Sequence, residues 1–246
     1  MATTSIEWTD KTWNPVTGCT KISAGCQHCY AYVMTNRLRG MRNPKYSHGF
    51  NVTLHPEDLY EPITWKQKSM IFVCSMSDLF HNNVPFEFID KVFDTISKTP
   101  QHTYQILTKR AERMGEYFKE RTIPLNTWLG VTVENKQSKY RMDYIRNLPA
   151  KVKFISCEPL LEDLGELDLT GIDWIIVGGE SGVQARLMEK DWIINIKKQA
   201  DFNHIPFFFK QWGTWGADRI KRNKKANGNL LDGFVIQNMP NHNIIK

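Results

Sequence analysis

Short apolar runs alternate with amphipathic helical stretches along most of the chain, and this alternation restricts the fold more than any other feature. Met70–Cys74, Thr103–Leu107, Thr127–Thr132, Val152–Cys157, Trp174–Val177 and Pro206–Phe209 are β-branched or aromatic and almost continuously apolar. Strands buried on both faces of a parallel sheet have this character. Phe50–Leu54 and Trp13–Gly18 are weaker strand candidates. Between the runs, Phe86–Lys98 sets Phe88, Ile89, Val92, Phe93 and Ile96 on one helical face, with Pro85 just ahead. Arg110–Glu120, Glu189–Asn203, Gln137–Asn147 and the segment after Cys26 are further helix candidates. Strands that alternate with helices form βαβ units. In 246 residues they predict an α/β fold with parallel strands, a full or partial TIM-type barrel in preference to an open doubly wound sheet.

Composition narrows the class. Hydrophobic residues make up 41% and charged residues 24%, as in soluble globular proteins. No apolar run reaches the roughly 18 residues of a membrane helix, and the N-terminus carries no signal-peptide pattern. The expectation is a cytoplasmic protein without a membrane partner. Five cysteines, an odd number, also fit a reducing compartment better than a disulfide scaffold. The formal charge of +6 favours a polyanionic partner such as nucleic acid, though weakly. After Gly213 the pattern stops. Residues 1–212 are expected to form the barrel domain. Residues 213–246, rich in Gly, Asn and Lys, form a basic extension that is either solvated or in contact with substrate.

Three of the cysteines crowd into Cys19-x6-Cys26-x2-Cys29. Thiolates select zinc or iron–sulfur clusters. Structural zinc wants four ligands, and no second CxxC or HxxxH follows; His28 sits between Cys26 and Cys29. A four-iron cluster on three cysteines leaves one iron open for a substrate or cofactor. Both readings, cluster and zinc, stay in play on spacing alone, with a redox cluster the better match. Most strand candidates also end in polar residues. These are His55 and Glu57; Ser75, Asp78 and His81; Lys109 and Arg110; Glu134 and Asn135; Glu158; Glu180 and Ser181; Lys210 and Gln211. In a parallel barrel such ends share the face where chemistry occurs.

Trp13-Asn-Pro-Val-Thr-Gly-Cys19 with Cys26-x-x-Cys29-Tyr30 resembles a phage and bacterial three-cysteine-motif family of the radical S-adenosylmethionine (SAM) superfamily, itself distantly similar to spore photoproduct lyase. The resemblance continues through Leu54–Glu57, Ser75–His81, Gly130–Asn135, Ser156–Pro159, Gly178–Gly182 and Phe208–Gly213. The six-residue first gap, and His28 in place of an aromatic, depart from the common C-x3-C-x2-C pattern; the longer gap is a feature of the resembled family. The resemblance implies a radical SAM enzyme with a [4Fe-4S] cluster on Cys19, Cys26 and Cys29, and SAM as the second cofactor. It also implies an electron donor such as flavodoxin and a nucleic acid or nucleotide as substrate. Asp78, Glu134 and Glu158 could then accept from the amino group and ribose diol of SAM. Lys109 or Ser75 could meet its carboxylate, and Gly178 and Gly179 could allow close approach of adenine or ribose. Lys210, Gln211 and Trp212 would be free to face the substrate. Cys157 is either a buried core thiol or a hydrogen-atom donor to a substrate radical. The alternative is a binding module that uses the cysteines for zinc or iron–sulfur without SAM chemistry.

Overall fold

The computed structural model describes residues 4 and 6–240. The apolar runs become strands and the striped segments become helices. In chain order they are β1 (Lys11–Trp13), β2 (Val16–Thr17), α1 (Tyr30–Gly40), β3 (Thr53–Leu54), β4 (Met70–Val73), α2 (Phe86–Lys98), β5 (Thr103–Thr108), α3 (Ala111–Tyr117), β6 (Thr127–Thr132), β7 (Val152–Cys157), β8 (Trp174–Gly178), α4 (Lys190–Phe202), β9 (Phe207–Gln211), α5 (Lys224–Asn227), β10 (Leu230–Leu231) and β11 (Phe234–Val235). The architecture is α/β with parallel strand pairs. Among the described residues no helix is long and apolar enough to cross a membrane. The chain gathers into two compact units.

The first unit holds Met1–Ile22, Cys29–Gly130 and Leu148–Lys151. Its strands run in the order β1–β4–β5–β6. β1 and β5 flank β4 in parallel, with Lys11 opposite Ile71 and Met70 opposite Thr103. Pro85, at φ −61°, precedes the first turn of α2, where a proline costs no hydrogen bond. α2 buries the predicted stripe of Phe88, Ile89, Val92, Phe93 and Ile96. Phe93 stacks on Tyr117 of α3 at 5.5 Å between ring centroids. α3 starts at Ala111 because Arg110, at φ −106° and ψ 58°, is turned out of the helix. β2 pairs antiparallel with β3 and runs into Gly18, at φ +79°, where a Cβ would lie 2.1 Å from the Asn51 carbonyl oxygen. Only glycine fits there. Gly18 N donates to Met76 O at 3.1 Å, which ties Cys19 to the loop leaving β4.

The second unit holds Ser23–His28, Val131–Asn147 and Val152–Lys246, its strands in the order β6–β7–β8–β9. β7, β8 and β9 are parallel, with a register shift between Val177 and Gly178. α4 buries Ile193, Ile196 and Ala200. The helix expected over 137–147 is instead a run of 3-10 turns over Lys136–Tyr144, opened by an Asn135–Ser138 capping box. That segment has no apolar stripe to bury, and packing of such a stripe is what stabilises most helices. Residues beyond 213 fold onto β9: Phe209 N donates to Ile236 O at 2.7 Å, and Trp212 Nε1 to Leu230 O at 2.8 Å. The last part of the expected extension, 241–246, lies outside the described residues.

Candidate functional site

In the first unit, Cys19 and Cys29 are half-buried. Cys29 caps α1 in an extended conformation, which frees its side chain from the helix that follows. Arg110 reaches Cys19 from the end of β5. Its Nη1 donates to Cys19 Sγ at 3.5 Å and to Asp78 Oδ2 at 2.9 Å, and its Nη2 to the carbonyl and hydroxyl oxygens of Thr20, each at 3.1 Å. Burial works against the guanidinium charge, but Asp78 and Cys19 outweigh it and hold the Arg110 pKa above its ordinary value.

Asp78 receives four donors from its own unit: Thr108 Oγ1 at 2.7 Å, Phe80 N at 3.1 Å, Lys109 N at 3.1 Å and Arg110. Its carboxylate therefore orients Arg110. His81 accepts from Asn83 N at Nδ1, 3.0 Å away, and lies 2.8 Å from Thr20 Oγ1 through Nε2. Burial, then Arg110, lowers the His81 pKa; a neutral ring that accepts at Nδ1 carries its proton on Nε2 and donates it to Thr20. Ser75 Oγ donates to Asn14 Oδ1 at 3.1 Å, and Tyr30 OH donates to the Ser75 carbonyl. Lys109 is half-buried. His55 and Glu57 stand elsewhere in the unit: His55 bonds Thr17 and Glu57, and with Asp58 their ligand atoms lie within 4.8 Å of one another. The Lys45 ammonium already sits on Asp58.

In the second unit, Cys26 ends a 3-10 turn over Ala24–Cys26 and is half-buried. Arg186 holds that turn: Nη2 donates to the Ala24 carbonyl at 2.9 Å, while Nε and Nη2 grip both carboxylate oxygens of Glu180 at 2.9 and 2.6 Å. A Cβ at Gly25 would lie 3.1 Å from Glu134 Cγ, so Glu134 flanks the same turn. Glu134 is fully buried and paired with Arg141 at 2.6 Å. Glu158 takes Lys210 at 3.1 Å and Ser156 Oγ at 3.1 Å.

Gly178 and Gly179 do permit close approach, but of their own chain. A Cβ on Gly178 would lie 2.6 Å from Glu158 Oε1, and one on Gly179 2.0 Å from the Trp212 carbonyl. Lys210, Gln211 and Trp212 are not free to face a substrate as expected. Lys210 is on Glu158, Gln211 donates to Ser181 Oγ at 3.3 Å, and Trp212 is buried with its indole N–H bonded. Burial, then the charges of Glu158 and Glu134, push the Cys157 thiol pKa up. Arg186 and Arg141 escaped the sequence reading. Both lie outside the strand ends, and only an arginine six residues after the Gly178–Glu180 turn hinted at the first.

The sequence profile described as "Protein of unknown function (DUF5131)" matches residues 3–240. The chain belongs to the DUF5131 family. No curated protein matches it. A solved structure titled "Spore photoproduct lyase complexed with dinucleoside spore photoproduct" is similar at a TM-score of 0.43 and 10% identity, over 76% of this chain and 59% of that one. A likeness that distant carries nothing about fold or activity.

In this DUF5131 chain, Cys19 and Cys29 of the first unit and Cys26 of the second each offer a thiol of the kind soft metal centres take. Cys19, Cys26 and Cys29 are half-buried and form no disulfide, while Cys74 and Cys157 are buried. Burial raises the thiol pKa of both, so without a metal they stay protonated. Arg110 stands against the Cys19 sulfur, where its charge would offset that of a metal-bound thiolate.

Proposed function

We propose that this chain is a radical SAM enzyme on a partial TIM-type barrel, with Cys19, Cys26 and Cys29 as the ligands of a [4Fe-4S] cluster. The observation that carries the reading is Arg110, which joins Cys19 to Asp78 beside a motif whose three thiols are half-buried and form no disulfide. When bound, such a cluster supplies the electron that splits SAM into methionine and a 5′-deoxyadenosyl radical able to take hydrogen from a substrate.

The chain's own residues hold that chemistry in place. Arg110 offsets the Cys19 thiolate charge, and Asp78 fixes Arg110 instead of meeting SAM directly. Arg186 and Glu180 fix the turn that presents Cys26. Ser75, Lys109, Glu134 and Glu158 remain the candidates for SAM contacts, Glu134 and Glu158 from within their pairs with Arg141 and Lys210; Gly178 and Gly179 are closed by Glu158 and Trp212 and serve the packing of their own chain. Cys157, held neutral, keeps the S–H bond that a hydrogen-atom donor needs. A flavodoxin-type donor in the cytoplasm would supply the electron.

The test is anaerobic reconstitution with iron and sulfide, then reduction by dithionite in the presence of SAM and chromatography for 5′-deoxyadenosine. About four iron per chain and 5′-deoxyadenosine, both lost in Cys19→Ala, are expected. Stoichiometric zinc without iron, or a full reducible cluster that yields no 5′-deoxyadenosine, would leave a metal-bearing binding module.

A further inference from the structure

Residues 11–56 contain six lysines and arginines and no acidic residue. The other 26 basic residues of the chain balance its 26 acidic ones, so the whole formal charge of +6 resides in this one segment. Its arginines also differ from the rest. Arg110, Arg113, Arg121, Arg141, Arg146, Arg186, Arg219 and Arg222 each bond a carboxylate or carbonyl. Arg37, Arg39 and Arg42 are exposed, and among the described residues none of the three has an ion pair.

These three stand on α1 or just past it, on a helix turned the unusual way. Ala31 and Thr35 are its buried residues, with Leu38 packed beside Tyr46, Met76 and Phe50. Tyr30, Val33, Met34, Arg37 and Met41 follow the i, i+3, i+4, i+7, i+11 spacing of one helical face. That face is open to solvent: Tyr30 is 57%, Val33 66%, Met34 40% and Met41 68% exposed. Tyr32, 46% exposed, adds a second aromatic ring. The stripe carries Arg37 itself, with Arg39 on the other side of the helix and Arg42 just past its end, and an exposed apolar patch of this kind marks an interaction site.

We infer that α1 and the turn after it form a binding surface for a single-stranded nucleic acid, with Arg37, Arg39 and Arg42 on its phosphates and the exposed rings and apolar side chains against its bases. A surface of one sign calls for a partner of dense, continuous opposite charge, and a phosphodiester chain has it. Aromatic side chains among basic ones are the usual platform for unpaired bases. α1 starts at the residue after Cys29, so a strand lying on it leads to the cysteine motif. That the bound strand is also the substrate rests on the enzyme reading above; the surface itself does not. The basic C-terminal segment is a poorer candidate, because Arg219 and Arg222 are taken by Glu189 and Asp218.

The experiment is fluorescence anisotropy of the purified chain with a labelled, mixed-sequence single-stranded DNA or RNA oligonucleotide at several salt concentrations. It needs no cluster and no SAM, so failure here leaves the enzyme reading standing, and failure of that reading leaves this result standing. Wild type should bind with strong salt dependence. Replacing Arg37, Arg39 and Arg42 by Ala together should weaken binding about 10- to 100-fold and lower the salt slope by about 2, at roughly 0.7 per single-strand phosphate. The paired Arg219→Ala/Arg222→Ala variant should bind as wild type does, and the Arg37→Lys/Arg39→Ala/Arg42→Ala variant should regain part of the loss. Far-UV circular dichroism checks that the triple variant folds. No binding by wild type, loss in the tail variant but not the triple variant, or binding of flavodoxin with no binding of either oligonucleotide would overturn the proposal.

Discussion

Cys19, Cys26 and Cys29 are half-buried and lie in loops or at a helix cap, whereas Cys74, just after β4, and Cys157, the last residue of β7, are buried. The same side chain is thus put to two uses by one chain. Where the backbone turns at Gly18 and into α1, the thiol stays within reach of solvent, and at Cys19 a guanidinium stands ready to balance its charge. Where a strand ends inside the core, burial raises the cost of ionisation and the thiol remains neutral. Environment, and not cysteine count, decides which sulfurs can be ligands.

The largest effect that could break this division is on iron. Cys19→Ala, Cys26→Ala or Cys29→Ala should each abolish cluster incorporation in anaerobic reconstitution. Cys74→Ala and Cys157→Ala should keep about four iron per chain, and comparable loss in either would end the distinction. Next comes reactivity. In the folded apoprotein, iodoacetamide followed by mass spectrometry should label the three loop thiols and spare the buried pair until denaturant is added. Arg110→Gln should act more gently, since it removes one positive charge from a ligand and spares the ligand itself. The loaded cluster should become harder to reduce by on the order of 60 mV, a tenfold change for one electron, as read by potentiometric titration. An unchanged potential would detach Arg110 from the centre.

The strands were legible because their apolar runs are continuous: β6 and β7 fall on the expected residues, and α2 does so as well. The three cysteines stand out in the sequence by their spacing alone. What stayed hidden is pairing across long sequence separations. Arg186 meets Ala24 over 162 residues, and Asp78 collects donors from Thr108, Lys109 and Arg110. A carboxylate at a strand end looks the same in sequence whether it awaits a ligand or is already saturated. The folded C-terminal segment was missed for a related reason. Its β10 and β11 are two residues each, too short to show a period, and it is held by backbone bonds to β9 that no pattern announces.

The smallest expected effect is on stability at alkaline pH, and it tests the buried pair directly. In the unfolded chain a cysteine thiol ionises near 8.5 and a tyrosine phenol near 10. In the folded chain burial raises the pKa of Cys74, of Cys157 and of the phenols of Tyr104 and Tyr117. The folded state therefore keeps protons that the unfolded state releases. Stability from these groups is fully present below the unfolded pKa values and falls as pH rises past them. The thiols act first, from about pH 8.5, at roughly 1.4 kcal/mol per pH unit each, or about 2 kcal/mol each by pH 10. Urea midpoints of the apoprotein should thus drop between pH 7.5 and 10. The Cys74→Ala/Cys157→Ala variant will start lower at pH 7.5, because each change leaves a small cavity. Its midpoint should nevertheless fall less steeply, with the phenols alone contributing above about pH 10. If both proteins lose stability along parallel lines, the buried thiols are not held neutral by the fold, and the contrast with the loop cysteines rests on accessibility alone.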